Sequence, residues 1–237
     1  MELSIVAVVI NNLNQTKRFI SSIRDYTKGK YELIIIDNGS SDKETINYIK
    51  NNSDIYFRFD KLTDLSKAWN KGIKLSKGKY VAIANNDVVV PPNWFPLMKE
   101  IFVKRKKAGM VYPLTYWTLR YNLKMGRISN LTKPIKIPRW RQGVWGEFNV
   151  FPRKILDEIN YFSEEYLEAS GEDLDILYKL HQKNYGVYIQ PKVFIFHEGG
   201  ATGNNISKEK LDKMYDRNWK LFLKKWKDYK DYILDRV

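Results

Sequence analysis

The chain has 237 residues, 43% of them hydrophobic and 29% charged, with a formal net charge of +14 and no cysteine. This is the composition of a folded globular chain rather than a disordered one, long enough for one large domain or two small ones. It excludes disulfides, a thiolate zinc site and a cysteine nucleophile, and no apolar run approaches the roughly 20 residues that a membrane-spanning helix needs.

The first ten residues lack a basic leader region and a cleavage signature, so Ser4 to Ile10 reads as a first strand and not as a signal peptide. Asn11 to Asn14 is a polar turn, with Asn14 the predicted N-cap of a helix whose Phe19, Ile20 and Ile23 share one face. Lys28-Gly29-Lys30 closes that helix. Tyr31 to Ile36 is a second apolar strand ending in Asp37-Asn38-Gly39-Ser40-Ser41-Asp42. Ser41 with Glu44 three residues on predicts a capping box and a second helix. Strand, polar turn and helix, repeated, is the pattern of parallel βαβ units. Ile55 to Phe59 is a short strand, and Ser66 to Leu75 a helix carrying Trp69, Asn70 and Gly72.

Tyr80 to Val90 organises the rest of the chain. Its Val- and Ile-rich start reads as a buried strand, and Asn85-Asn86-Asp87 falls at its C-terminal end, where ligands bind in open α/β sheets. One carboxylate flanked by amides suits a hard divalent cation that keeps part of its shell for phosphate. The same triplet reads equally well as a polar strand-to-turn transition before Pro91-Pro92.

Trp94 to Lys106 is predicted as a helix and Gly109 to Leu114 as a strand. Thr115 to Gln142 has no clean period and holds Pro134 and Pro138, which predicts long loops with a hairpin. Gly143 to Pro152 is a strand and Lys154 to Ile159 a short helix. Gly171-Glu172-Asp173 precedes the apolar face Leu174, Ile176, Leu177 and Leu180, so both acids sit in a first helical turn, where the macrodipole favours negative charge. Asp175 reads as a solvated helix acid and His181 as structural or surface. Tyr185 to Ile189 and Val193 to Phe196 are short strands, His197 to Asn205 a glycine-rich polar loop, and Ser207 to Leu234 a long helix broken near Lys227-Asp228. Trp219, Phe222, Leu223 and Trp226 form a helical stripe that reads as packing, with a membrane face as the alternative.

The charge is concentrated. From Lys99 to Arg141 there are twelve Lys or Arg residues against one acid, Glu100, interleaved with Tyr112, Tyr116, Trp117, Tyr121, Trp140 and Trp145. Such a block attracts anions: phosphorylated substrates, acidic lipid surfaces or nucleic acid. Asp37 to Asp42, Asn85 to Asp87, Glu172-Asp173 and His197 together hold carboxylates for a metal, a carboxylate base and an imidazole, the inventory for metal-assisted displacement at a diphosphate.

On these residues the chain resembles a family-2 glycosyltransferase of the GT-A fold, in its rhamnosyltransferase-like branch. The resemblance is carried by Ile5 to Ile10, Ile34 to Asp42, Asn70-Lys71-Gly72-Ile73, Ala84 to Val88, Gly171 to Asp175, His197-Glu198-Gly199-Gly200-Ala201 and Arg217-Asn218. It implies a mostly parallel central sheet flanked by helices. Residues 1–110 would be the nucleotide-sugar half of a single domain, 111–205 the acceptor-binding and catalytic half, and 206–237 a C-terminal helical segment. It implies an inverting transfer from a UDP-, dTDP- or GDP-linked sugar to a carbohydrate or lipid-linked hydroxyl, with Mg²⁺ or Mn²⁺. Asp37 would contact the base, with Asn38 and Ser40 shaping its pocket. Asn70 would line the nucleotide-sugar site beside Asn86. Asp87 and His197 would hold the metal, and Asp173 would be the base with Glu172 its neighbour. Ile159 to Glu164 departs from the Gly-Gly-Phe-Asp that often precedes the acidic pair, and Asn85 stands where the metal motif often has Asp. The block from 99 to 141 matches poorly and is expected on the acceptor side.

The products expected are a surface polysaccharide, a glycolipid or a glycoprotein glycan, made by a cytoplasmic protein peripheral on the inner, anionic membrane face. The alternative from another class is a basic nucleic-acid-binding protein on an α/β scaffold without transferase activity, which predicts salt-steep affinity. A nucleotidyltransferase is disfavoured, because no glycine-rich loop with a phosphate-binding lysine follows the first strand.

Overall fold

The computed structural model describes residues 1–124, 132–137, 146–199 and 207–227. Its strands are β1 (Leu3–Val9), β2 (Tyr31–Asn38), β3 (Ile55–Phe59), β4 (Tyr80–Asn85), β5 (Val88–Val89), β6 (Ala108–Leu114), β7 (Ile135–Ile137), β8 (Phe148–Pro152), β9 (Gly186–Phe194) and β10 (Phe196–His197). Its helices are α1 (Leu13–Tyr26), α2 (Lys43–Asn52), α3 (Leu65–Leu75), α4 (Trp94–Lys104), α5 (Tyr116–Lys124), α6 (Arg153–Glu158), α7 (Glu172–Gln182) and α8 (Lys208–Lys225).

One sheet runs β3-β2-β1-β4-β8-β6-β9-β7. β1, β2, β3 and β4 are parallel, and β9 is parallel to β6. β8 lies antiparallel between β4 and β6, and β7 antiparallel beside β9. A small antiparallel ladder joins β5 to β10. The fold is therefore the mostly parallel α/β sheet flanked by helices that the sequence predicted.

Every residue of β1 is buried, which is why it reads as a continuous apolar run instead of an alternating one. Successive side chains still point to opposite faces. Ile5, Ala7 and Val9 pack with Phe19, Ile20 and Ile23 of α1 and with Trp94 and Met98 of α4. Val6 and Val8 pack on the other face with Ala68, Trp69 and Ile73 of α3 and Ile176, Leu177 and Leu180 of α7. α3 approaches so closely that a Cβ on Gly72 would lie 2.2 Å from Val6 Cγ1. A third cluster, Tyr166, Leu174, Tyr178 and Phe222, joins α7 to α8.

Several expectations change. The first helix is capped at Asn12 in a left-handed conformation, and Asn14 lies inside the helix. The second is capped by Asp42, whose carboxylate accepts from Glu44 N and Thr45 N, one residue beyond the predicted Ser41. Asp37 and Asn38 belong to β2 and not to the turn after it. Tyr116–Lys124, predicted as loop, is α5. The two short strands expected between Tyr185 and Phe196 are one strand, β9, with Pro191 inside a register shift opposite Pro113–Leu114. A missing N–H is tolerated at such an irregularity. In the Trp219–Trp226 stripe Phe222 is fully buried and the Trp226 ring lies 4.5 Å from Tyr178, so this part is packing, whereas Trp219 stays 40% exposed. The break expected at Lys227-Asp228 and the helix end at Leu234 reach outside the described residues, as do Gly200, Ala201, Trp140 and Trp145. Among the described residues no helix is long and apolar enough to cross a membrane.

Candidate active site

The parallel strands deliver their C-terminal ends to one edge. Val9 pairs with Asp37 and Val8 with Asn85, so Asp37 and Asn85 stand on either side of β1, about 10 Å apart at two strand spacings. β8 runs the other way and starts at this same edge. Its preceding residue, Glu147, accepts Asn85 N–H through its carbonyl at 2.9 Å. β10 adds His197 opposite Val88.

Asp37 is fully buried and accepts from Ser40 N (2.8 Å) and Tyr56 Oη (3.0 Å), and it pairs with Arg58. Arg58 also donates to Ser40 O at 2.8 Å. Asn38 clamps the next loop: its amide donates to Thr63 O at 2.9 Å and accepts from Thr63 N and Oγ1, both at 3.0 Å. Ser40 Oγ accepts from Asn11 N at 2.9 Å. These three residues therefore form one braced corner at the end of β2. Arg58 and Tyr56 complete it, and no motif in the sequence marked them.

Asn86 is buried and donates to Thr16 Oγ1 at 2.9 Å, pinning α1 to the turn after β4. Asp87 Oδ1 lies 3.2 Å from His197 Nε2. Burial pulls the His197 imidazole down, but the facing Asp87 carboxylate and the Glu147 charge outweigh it and the net shift is upward. His197 Nδ1 is a buried atom without a hydrogen-bond partner among the described residues, and Asp87 Oδ1 is buried with the His197 ring facing it. A carboxylate oxygen and an imidazole left in this state fit a divalent cation. Among the described residues no group of three or more His, Asp or Glu converges for a metal. These two side chains would thus hold it with substrate oxygens and water completing the shell.

Glu172 and Asp173 open α7. Gly171 caps the helix at φ +91°, and a Cβ there would lie 2.9 Å from the Tyr166 ring, so only glycine fits. Glu168 and Ser170 are also left-handed. This strained loop is held by Asn218 of α8, whose amide donates to Leu167 O (3.1 Å), Ala169 O (3.1 Å) and Ser170 O (2.8 Å), which is how such backbone persists. Glu172 is buried, with Oε2 unpartnered among the described residues. Burial first, then the Asp173 charge, pushes its carboxyl up. Burial also raises Asp173, with Glu147 adding to the shift, against the Leu174 N–H that Asp173 Oδ1 accepts at 2.8 Å.

Asn85, Glu147, Glu172, Asp173 and His197 line a single cleft of about 880 Å³, with Trp69 on one wall and α5 and α8 supplying others. The structure thus brings together the acidic pair, the strand end and the histidine. It does not bring Asn70 to them. Asn70 faces a separate cavity of about 540 Å³ and ties α3 to the chain before α7, donating to Phe162 O and Glu164 Oε1 (2.8 Å each) and accepting from Phe162 N (3.0 Å). Asp175 is corrected outright. It is fully buried, accepting from Ser163 Oγ at 2.6 Å and Trp226 Nε1 at 2.8 Å. Glu147 was missed by the sequence reading, because a lone acid before an apolar run carries no signal until β8 is seen to start beside β4.

Over 204 residues the chain is 26% identical to the poly-beta-1,6-N-acetyl-D-glucosamine synthase of Staphylococcus epidermidis, covering 80% of this chain and 48% of that one. Among solved structures it is similar to GalNAc-T7 with UDP, GalNAc and Mn²⁺ (TM-score 0.75, 18% identity, 98% of this chain and 50% of that one). It is also similar to the mannosyltransferase PcManGT from Pyrobaculum calidifontis with GDP-Man and Mn²⁺ (TM-score 0.67, 16% identity, 85% and 58%). The chain spans about half the length of these relatives. The family model described as glycosyl transferase family 2 matches residues 4–159, and with the sheet and cleft above, the chain belongs to glycosyl transferase family 2 and has the GT-A fold.

Proposed function

We propose that this chain is an inverting glycosyltransferase, moving a sugar from a nucleoside-diphosphate sugar to an acceptor hydroxyl with Mg²⁺ or Mn²⁺ bound. The observation that carries the reading is the convergence of Asp173, Glu172, Asn85 and His197 on one cleft, with Asp87 against His197. Family membership supports it, as do the UDP, GDP-Man and Mn²⁺ named for the structural neighbours.

The half from 1–110 then holds the donor, with the braced corner of Asp37, Asn38 and Ser40 taking the base, and Asp87, joined by His197 from the other half, taking the cation. When bound, the cation offsets charge growing on the leaving diphosphate. The half from 111–205 presents the acceptor. The Asp173 carboxylate accepts the proton of the attacking hydroxyl, whose oxygen bonds the anomeric carbon as the bond to diphosphate breaks on the opposite face. Burial and the neighbouring Asp173 charge raise the Glu172 carboxyl, which weakens the repulsion it adds beside the attacking oxygen. Residues 206–237 back this half through α8. The products are cell-surface polysaccharide, glycolipid or glycoprotein glycan.

A thermal-shift panel of UDP-, dTDP- and GDP-sugars with and without Mn²⁺ tests the reading. One nucleotide should raise Tm further when Mn²⁺ is present. Absence of a metal-linked rise with every nucleotide overturns it.

A further inference from the structure

The cleft carries opposite charge at its two depths. Glu147 and Glu172 are buried in it, with Asp173 beside them. The exposed part is lined by Trp117, Arg120 and Lys124 of α5. Their spacing of three and four residues puts all three on one stripe of the helix. The stripe cannot rotate away, because the other face is fixed: Thr118 is buried and shares a 3.0 Å hydrogen bond with Thr115, and Leu119 packs on the core.

α8 lines the same cleft with Tyr215 and Trp219. The Trp219 ring is stacked on Phe222 at 5.6 Å and 11°, and Phe222 is fully buried, so this wall is stiff. Trp117 and Trp219 nevertheless leave 53% and 40% of their surfaces in water. Two exposed indoles in a concave site mark a binding surface rather than an unfinished core. On α8, Lys213 already pairs with Glu209 and Lys220 with Asp216. Among the described residues Arg120 and Lys124 form no ion pair.

We propose that this part of the cleft is the acceptor subsite, and that it takes a sugar bearing a negative substituent, a phosphate or a carboxylate. The inference rests on the reading of Asp173 as base. A pyranose offers C–H-lined faces that flat indoles cover, and hydroxyl edges that stay hydrogen-bonded. Arg120 grips an oxyanion with paired N–H donors, and Lys124 adds a point charge. The attacked hydroxyl must reach Asp173 among the buried carboxylates. The anionic group therefore sits on the far side of the acceptor from that hydroxyl, where it escapes their repulsion.

The test uses the full chain loaded with UDP and Mn²⁺, titrated by NMR with glucose, glucose 6-phosphate, glucuronic acid and inorganic phosphate. At low salt the anionic sugars should bind about ten-fold tighter than glucose, and the gap should close as salt is added. Glucose 6-phosphate against glucuronic acid distinguishes phosphate from carboxylate as the preferred group. The double variant R120Q/K124Q should erase the preference, and Trp117→Ala should weaken all three sugars. Equal binding of glucose and both anionic sugars overturns the inference. So does inorganic phosphate binding as tightly as glucose 6-phosphate, or displacement of UDP by the anionic sugars, which would assign the two cations to the donor. UDP binding by the wild-type chain is measured first. If it fails, the nucleotide-sugar reading falls and this one with it; if UDP binds and no anion preference follows, this inference falls alone.

Discussion

The Trp226 indole N–H donates to Asp175 Oδ1 at 2.8 Å, fastening the end of α8 to the helix that begins with Glu172 and Asp173. Asp175 also accepts from Tyr166 Oη at 3.1 Å and faces Lys225 at 3.0 Å. Lys225 keeps Glu165 when Asp175 is lost, but the Trp226 indole and the Tyr166 hydroxyl lose their acceptor, at about 1–3 kcal/mol for each buried donor left unsatisfied. Asp175→Ala should therefore lower Tm by roughly 10 °C for a chain of this size. Asp175→Asn, which keeps an acceptor for Trp226, should lose less. Thermal denaturation of both variants checks the order.

The cation is expected to bind only while Asp87 and His197 are both present. Nucleotide at a hundred times its Kd stabilises the folded state by about 2.7 kcal/mol. In Asp87→Ala and His197→Ala the part of that rise which needs Mn²⁺ should vanish. Calorimetric titration of UDP or GDP with and without Mn²⁺ reads it directly; a metal-dependent increment that survives in Asp87→Ala refutes the assignment.

Asp173→Asn should lower kcat by about 10²–10⁴-fold, the range for loss of a general base, while nucleotide affinity holds. The pH dependence follows from the upward shift of Asp173 by burial and by Glu147. A base works ionised, so activity should rise with pH, and its acid limb should lie above the ordinary carboxylate range. Glu147→Gln removes a neighbouring negative charge and should move that limb to lower pH. Stability runs the other way. The folded-state carboxyl of Glu172 is raised, so its penalty is absent below the unfolded pKa and grows as pH climbs through the folded one. Glu172→Gln should gain Tm over the wild type at alkaline pH and lose that gain in acid.

Asn218 acts on the acidic pair through backbone. With its amide gone, the Ala169 and Ser170 carbonyls of the loop before Gly171 lose their donor, while Leu167 O keeps Arg217. Asn218→Ala should cost about 1–2 kcal/mol in stability and about ten-fold in kcat, since small misplacements of a reacting group are expensive. Turnover and Tm measured together separate the two effects: a fall in Tm with kcat intact would show that the loop does not depend on this clamp.

The strands at the centre were legible because burial on both faces writes them as Val and Ile runs, as in Ile34-Ile35-Ile36. The polar clusters were legible because they interrupt those runs at strand ends. α5 was not, since among its described side chains only Thr118 and Leu119 turn inward, and two adjacent positions write no apolar period. Asp175 read as solvated because the groups that bury it include Trp226, fifty-one residues away, and partners at that range leave no mark beside it. Asn70 matched a motif, yet its amide is spent on Phe162 and Glu164. Its neighbour Trp69 and Leu65 are the residues of α3 that reach the cleft.

β6 and β8 are antiparallel neighbours, paired at Val111 and Val150. The chain that leaves one at Leu114 therefore returns to the other at Phe148 almost where it departed. Insertions in it cost little closure entropy, provided that β7 keeps its place beside β9 and Glu147 its bond to Thr115. Asp37, Asp87 and His197 are built outside that excursion, whereas Trp117, Arg120 and Lys124 are built within it. On the proposed reading, descendants of this chain could exchange the recipient of the sugar as a cassette and leave the residues assigned to the donor untouched.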